Sequence, residues 1–269
     1  MIELNNVTYW YTADKPVISE ASAHIAEGRI YGLLGLNGSG KTTLLKLISG
    51  MLFPKKGEIV IAGNNSRNRE IAYLQNIAFM PATVQLPKQS VDKFTSLNSV
   101  FYPTFSKSVL MDCLNEFGID YDTHNLEQLS LGQKHKFMFS FLLSLGTKVL
   151  LLDEPLNGMD LPSRNAFRRL LMRHLDDSRT AVISTHVMKD IENILSDVMI
   201  IRNDGSFFCK SMNELSNEYS FGISNNNENA VYSEVCPEGY KVLRKKGMEE
   251  ESGIPLEILF NAVIKGGIK

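Results

Sequence analysis

The chain has 269 residues, 43% of them hydrophobic, enough to bury a substantial core as one domain with a small appendage. Its 28 basic and 30 acidic residues leave a net charge of −2, which excludes an overall positive field for holding nucleic acid or an anionic membrane surface. Any membrane contact is therefore expected to be specific, through a partner, and the scattered Cys113, Cys209 and Cys236, in no metal-ligand spacing, read as unpaired thiols of a reducing compartment.

The opening Met1-Ile-Glu-Leu-Asn-Asn has neither a basic start nor an apolar stretch, so no signal peptide is expected and the chain is expected to stay inside the cell. Short β-like runs at residues 2–9, 17–25 and 29–34 alternate with turn residues such as Asp14, Pro16 and Glu27-Gly28. The third run leads into a glycine-rich loop, and leucines at helical spacing over 42–48 predict a helix that Gly50 stops. From 90 to 144 the character turns helical, with amphipathic patterns at 108–117 and 134–145, which predicts an inserted helical subdomain. The apolar stretch 137–145 is too short to span a bilayer and reads as a buried helix feeding a buried strand at 149–152. That strand and another at 180–184, separated by a helix at 161–175, form the pattern of a parallel sheet covered on both faces. Residues 224–229 read as a linker, 230–236 with 240–245 as a hairpin around Pro237-Glu238-Gly239, and 255–264 as a closing amphipathic segment. The charge runs at 244–246 and 249–251 read as solvated surface.

Three stretches carry chemistry. Gly35-Leu36-Asn37-Gly38-Ser39-Gly40-Lys41-Thr42 matches the phosphate-binding loop G-x-x-x-x-G-K-[ST] and lies between a predicted strand and a predicted helix, as the mechanism requires. The glycines let backbone N–H groups turn onto a β-phosphate, Lys41 reaches the β/γ oxygens, Thr42 ligates Mg²⁺, and Thr43 follows in the helix. A chance glycine-rich turn is the competing explanation, and the flanking strand and helix argue against it. At 149–155 an apolar strand delivers Asp153 and Glu154 at its C-terminal end, where open α/β sheets place ligands. Asp153 is the candidate metal ligand and Glu154 the candidate general base for an attacking water. Leu129-Ser130-Leu131-Gly132-Gln133 opens a helix whose N-terminus suits an anion, although a Ser N-cap alone gives the same appearance.

With these motifs in this order, residues 1 to about 215 resemble the ABC ATPase family. The resemblance implies an α/β P-loop NTPase fold, with a RecA-like core, an N-terminal antiparallel β subdomain and an inserted helical subdomain at about 88–145. It implies an ATPase domain over 1–218 and a small C-terminal extension at 219–269. Residues 129–133 are similar to the family signature with Leu131 in place of a glycine, so Ser130, Gly132 and Gln133 are expected to meet ATP bound by a second subunit. Leu156-Asn-Gly-Met-Asp160 resembles the family's D-loop and Ser184-Thr-His186 its switch histidine, giving Asp160 a role across the dimer and His186 one at the γ-phosphate. Tyr11 fits the aromatic that stacks on adenine, with Tyr9 and Trp10 as competitors. The four other histidines, His24, His124, His135 and His174, match no motif and read as ordinary surface or helix residues.

One position departs from the family pattern. Ala82 follows Pro81 where the family places a metal-directed glutamine; Gln85 and Gln89 lie downstream. The aromatic segment 94–105 falls where the family receives its membrane subunit, although aromatic clusters at such spacing read more often as core. That segment and the C-terminus resemble the bacterial ABC-2 exporter branch. The resemblance thus implies ATP and Mg²⁺ as cofactors, an integral membrane transporter subunit as partner, and a second ATPase copy, identical or related, with no nucleic acid. It also implies a cytoplasmic location, peripheral on the inner face of the membrane. A different class stays open: an ABC-type ATPase acting on a non-membrane assembly, although one cassette and no heptads distinguish this chain from such relatives.

Overall fold

The computed structural model of the chain describes residues 1–13, 15–246 and 253–268. Asp14, expected in a turn, and the acidic run at 249–251 lie outside the described residues. The chain opens with β1 (Ile2–Trp10), β2 (Pro16–Ile25), β3 (Ile30–Gly35), α1 (Lys41–Ile48), β4 (Lys56–Ile61) and β5 (Asn64–Asn65). The middle holds α2 (Ile71–Gln75), β6 (Ile77–Met80), α3 (Val91–Ser99), α4 (Lys107–Phe117), α5 (Leu131–Ser144), β7 (Val149–Asp153), α6 (Leu161–His174) and β8 (Thr180–Ser184). A 3₁₀ turn at Met188–Asp190 precedes β9 (Asp197–Ile201), β10 (Phe207–Ser211), α7 (Met212–Glu218), β11 (Tyr219–Ser224), β12 (Tyr232–Cys236), β13 (Gly239–Lys245) and α8 (Leu256–Ile264).

Three sheets result. The central one runs β10-β9-β3-β8-β7-β6, parallel except for β10. Its inner strands β3, β7, β8 and β9 are buried at every residue, as the continuous apolar runs demanded of a sheet covered on both faces. Alternation along each strand divides the core. Leu150, Leu152, Ala181 and Ile183 face α4, α5 and α6, whereas Val149, Leu151 and Val182 face α1 and the N-terminal sheet. That second sheet, β2-β1-β4-β5, is antiparallel. Pro16, expected in a turn, instead starts β2, a position where its missing N–H breaks no ladder.

Helices α3, α4 and α5 intervene between β6 and its neighbour β7, so the helical block enters the chain between adjacent strands of the central sheet. Its interior is aromatic: Phe94 meets Phe137 and Phe141 edge-on, and Phe139 lies 4.3 Å from Phe167 of α6. Of the segment 94–105, Phe94, Tyr102 and Phe105 pack against this core while Leu97, Val100 and Phe101 stay exposed.

The predicted hairpin is β12–β13, and β11 completes a third, antiparallel sheet with it. The run at 224–229 is therefore no linker but the connection between β11 and β12 within that sheet. Arg244, read as solvated charge, holds it by donating to Asn226 O and Glu228 O. Helix α8 buries Leu256, Ile258, Leu259, Phe260, Ala262 and Val263 against the same apolar cluster that lines the central sheet. Among the described residues no helix is long and apolar enough to cross a membrane.

Candidate functional site

Strand β3 arrives fully buried at Gly35, and the chain turns through residues 36–40 into α1. Gly40 takes φ 108°, a conformation side chains resist, and a Cβ there would strike the Val17 side chain. No side chain caps α1 at Gly40, so its first-turn N–H groups, with the positive end of the helix dipole, point to whatever fills the loop. Lys41 is buried, and its Nζ donates to Gly35 O at 2.8 Å and Leu36 O at 3.2 Å. Burial pulls its pKa down while Glu154 and Asp153 oppose that shift. A phosphate entering the loop would offer this ammonium a charged acceptor in exchange for two neutral carbonyls. The hydroxyl of Ser39 is buried there without a partner.

The acidic pair stands opposite. Asp153, at the end of β7, receives Thr42 Oγ1 on Oδ2 at 2.7 Å and Ser184 Oγ on Oδ1 at 2.5 Å. Thr42 and Asp153 thus present neighbouring oxygens, the hard donors Mg²⁺ takes when phosphates and waters complete its shell, and the residues fit that ion. Ser184 was quoted in the sequence only as part of a motif. Its bond to Asp153, and its acceptance of Glu154 N at 3.1 Å, show it bracing both acids. Glu154 itself adopts φ 48°, rare for a residue with a side chain, which turns its carboxylate away from the strand direction Asp153 follows. Its Oε2 lies 2.8 Å from His186 Nδ1, at the end of the neighbouring β8. A carboxylate oxygen accepts here, so Nδ1 is the donor, on a ring that is largely exposed.

These groups line one cleft of about 490 Å³, walled by Asn37, Gly38, Gly40, Lys41, Thr42, Thr43, Asp153 and Glu154, with Tyr11 and Val17 at its side. Tyr11 lies just beyond β1, is 61% exposed and shares a 3.1 Å hydrogen bond with Thr43 Oγ1. Tyr9 is buried in the N-terminal sheet, edge-on to Tyr11 at 5.1 Å, and neither it nor Trp10 lines the cleft. Val17 was not singled out in the sequence, since an aliphatic residue in a β-run carries no signal beyond core.

The remaining candidates lie elsewhere on the surface. Ser130 accepts Gln133 N while Gln133 Oε1 accepts Ser130 N, a capping box that starts α5 with Ser130, Leu131 and Gln133 exposed. Asp160 caps α6 by accepting Ser163 N. None of Ser130, Gly132, Gln133 or Asp160 lines the cleft. The loop at Pro81–Ala82 does not line it either, nor do Gln85 and Gln89. Among the histidines, His24 and His124 are exposed and His174 pairs with Asp112, but His135 is not an ordinary helix position. It is fully buried, with Nδ1 3.2 Å from Pro155 O and Nε2 without a partner.

Residues 18–157 match the family described as ABC transporter. The ABC transporter ATP-binding protein YtrB of Bacillus subtilis is 30% identical over 225 residues, covering 81% of this chain and 75% of that protein. Another from the same organism, YcbN, is 28% identical, covering 91% of this chain and 83% of its own length. A solved structure described as an ATP-binding subunit of an ABC transporter shares the fold, with a TM-score of 0.73 at 23% identity over 80% of this chain and 91% of that one. With a phosphate loop and paired acids gathered in one cleft, and His186 bonded to Glu154 beside it, the chain belongs to the ABC transporter family as one of its ATP-binding subunits.

Proposed function

We propose that the chain binds and hydrolyses ATP to drive a membrane transporter, working as a head-to-tail dimer. The observation that carries this reading is the 2.8 Å contact of Glu154 with His186 beside a loop that holds Lys41 and Thr42. In the cleft, Tyr11 stacks on adenine, the 35–43 segment cradles the phosphates with Lys41, and Thr42 and Asp153 hold Mg²⁺. When bound there, Mg²⁺ would supply charge neutralisation at the phosphates. Glu154, turned toward the open cleft, takes the proton of the attacking water. His186 keeps that carboxylate in place through Nδ1–H, and a second N–H on Nε2, present only in the doubly protonated ring, would donate to the γ-phosphate. Phosphoryl transfer asks chiefly for positioning and charge stabilisation, and the braced acids, the helix terminus and Lys41 provide both.

The exposed Ser130, Gln133 and Asp160, with the buried Gly132 between the first two, lie away from their own cleft, which suits this segment to the ATP of a partner copy. A dimer of such halves closes over two nucleotides. Residues 1–218 form the ATPase domain, with the helical block at about 88–145 inserted in it and 219–269 appended. Leu97, Val100 and Phe101, exposed on or next to α3 of the helical block, suit docking of an integral membrane subunit, with which the chain would sit peripherally on the inner membrane face. The exporter direction, of the ABC-2 type, is the reading favoured by the C-terminal extension.

Turnover of the purified protein beside Glu154→Gln, with oligomeric state followed by size exclusion with and without MgATP, tests the reading. The expected outcome is a loss of turnover of about 10²-fold or more in the variant, together with an ATP-dependent dimer. A variant that hydrolyses ATP as fast as the parent removes Glu154 from the mechanism.

A further inference from the structure

Two loops leave the catalytic pair, one running from Glu154 to α6 and the other from His186 to the 3₁₀ turn Met188–Asp190. They come from neighbouring strands but share no backbone ladder beyond Asp153 and Ser184. One side chain bridges them. Arg164, on the first turns of α6, donates from Nε to Met159 O at 3.0 Å and from Nη1 to Asp190 Oδ2 at 2.6 Å. Arg168, one turn on, donates to the Asp190 backbone oxygen at 2.6 Å. Asp190 is only 8% exposed, and its N–H is spent on Val187 O. On its other side the 3₁₀ turn packs against α8, and Glu192 Oε2 accepts the Leu256 N–H that opens that helix.

Holding this arrangement costs the chain a nearly buried carboxylate, which a surface turn does not need. Its geometry is also directional: a planar guanidinium reaches a carbonyl of one loop and a carboxylate of the other in the same plane, which an ammonium cannot reproduce. We propose that Arg164 and Asp190 are positioning residues that fix the loop after Glu154 to the segment after His186, so that the two catalytic side chains move as one body when the site closes. The proposal rests on Glu154 and His186 acting in hydrolysis. Neither Arg164 nor Asp190 lines the cleft, so their effect is transmitted through backbone and not through nucleotide contact.

Arg164→Ala and Asp190→Asn are each expected to lower kcat for ATP by about tenfold while KM changes less than about twofold, with Arg164→Lys recovering only part of the loss. A rise in KM with kcat unchanged, or full recovery in Arg164→Lys, overturns the proposal. Amide hydrogen exchange on the nucleotide-free protein reads the lock without any catalysis. In Asp190→Asn and Arg164→Lys, both chosen to preserve the fold, exchange is expected to quicken together in 155–160 and 187–192. Quickening confined to the segment nearest the substitution overturns it. A parent protein whose Glu154→Gln variant keeps turnover would instead count against the assignment of Glu154, and the exchange result would still decide whether the loops are coupled.

Discussion

His135 illustrates how much a single side chain can conceal in a sequence. Between the signature segment and a run of apolar helix, it looks like a polar residue on a solvated face. The structure instead buries it, with Nδ1 at Pro155 O, and because a carbonyl can only accept, Nδ1 is the protonated nitrogen and Nε2 a bare lone pair in an apolar surround. Burial lowers its pKa from the ordinary 6.5, since charging it would add an unpaired cation to the core. The unfolded chain therefore binds the proton more readily than the folded one, so stability from this group is present above about pH 6.5 and drains away as the pH falls through and below it. Urea midpoints at pH 7.5, 6.5 and 5.5 should fall more steeply for the parent than for His135→Gln, and parallel profiles would show that the ring is not kept neutral. The candidate site residues were legible for the opposite reason. Lys41, Thr42, Asp153, Glu154 and His186 stand at strand ends and loop turns that the pattern of glycines and apolar runs announces, whereas Ser184 and Arg164 earn their roles from partners distant in sequence.

The same division holds among the elements. Strands β3, β7 and β8 and helices α4, α5, α6 and α8 were readable because each carries an unmixed period, continuous apolar for the buried strands and helical spacing for the rest. Strands β4 and β10, half exposed and mixed in composition, gave no such signal, and β9 was passed over despite being buried throughout. What periodicity does not report is how closely two elements cross. At the start of α5, Gly132 lies so near the D-loop that a Cβ would fall 2.3 Å from Gly158 O, a backbone atom with nowhere to retreat. The start of α5 and the 156–160 segment are therefore a packed pair, a contact that only two glycines allow. Gly132→Ala is expected to cost about 1–3 kcal/mol in denaturant unfolding, as overpacking against an unyielding wall does. The same substitution should also weaken the ATP-dependent dimer, because the segment it displaces carries Ser130. A cost near zero would mean that the D-loop yields freely and that the two motifs are not mechanically joined.

At the level of the whole molecule, the central sheet sets where chemistry happens: β3, β7 and β8 all end on one side, and the phosphate loop, the acids and the histidine are their three C-terminal extensions. The C-terminal sheet and α8 attach to this plan without covering the cleft. The extension from residue 219 shares its core with the rest of the chain, because Tyr232, Leu243, Leu256 and Leu259 join the cluster that also holds Leu150, Phe139 and Phe167. A buried face shared in this way makes the extension's folding energy part of the ATPase domain's own. Leu259, with no exposed surface, is the sharpest probe of that continuity. Leu259→Ala should destabilise by about 2–5 kcal/mol, the range for emptying a core leucine site. If the core is one, the loss appears as a lower midpoint of a single transition followed alike by far-ultraviolet dichroism and by Trp10 fluorescence at the opposite end of the chain. An early transition seen by dichroism alone, with Trp10 unaffected, would show instead that the last fifty residues melt independently, and that their packing on the 3₁₀ turn near His186 does not brace the site.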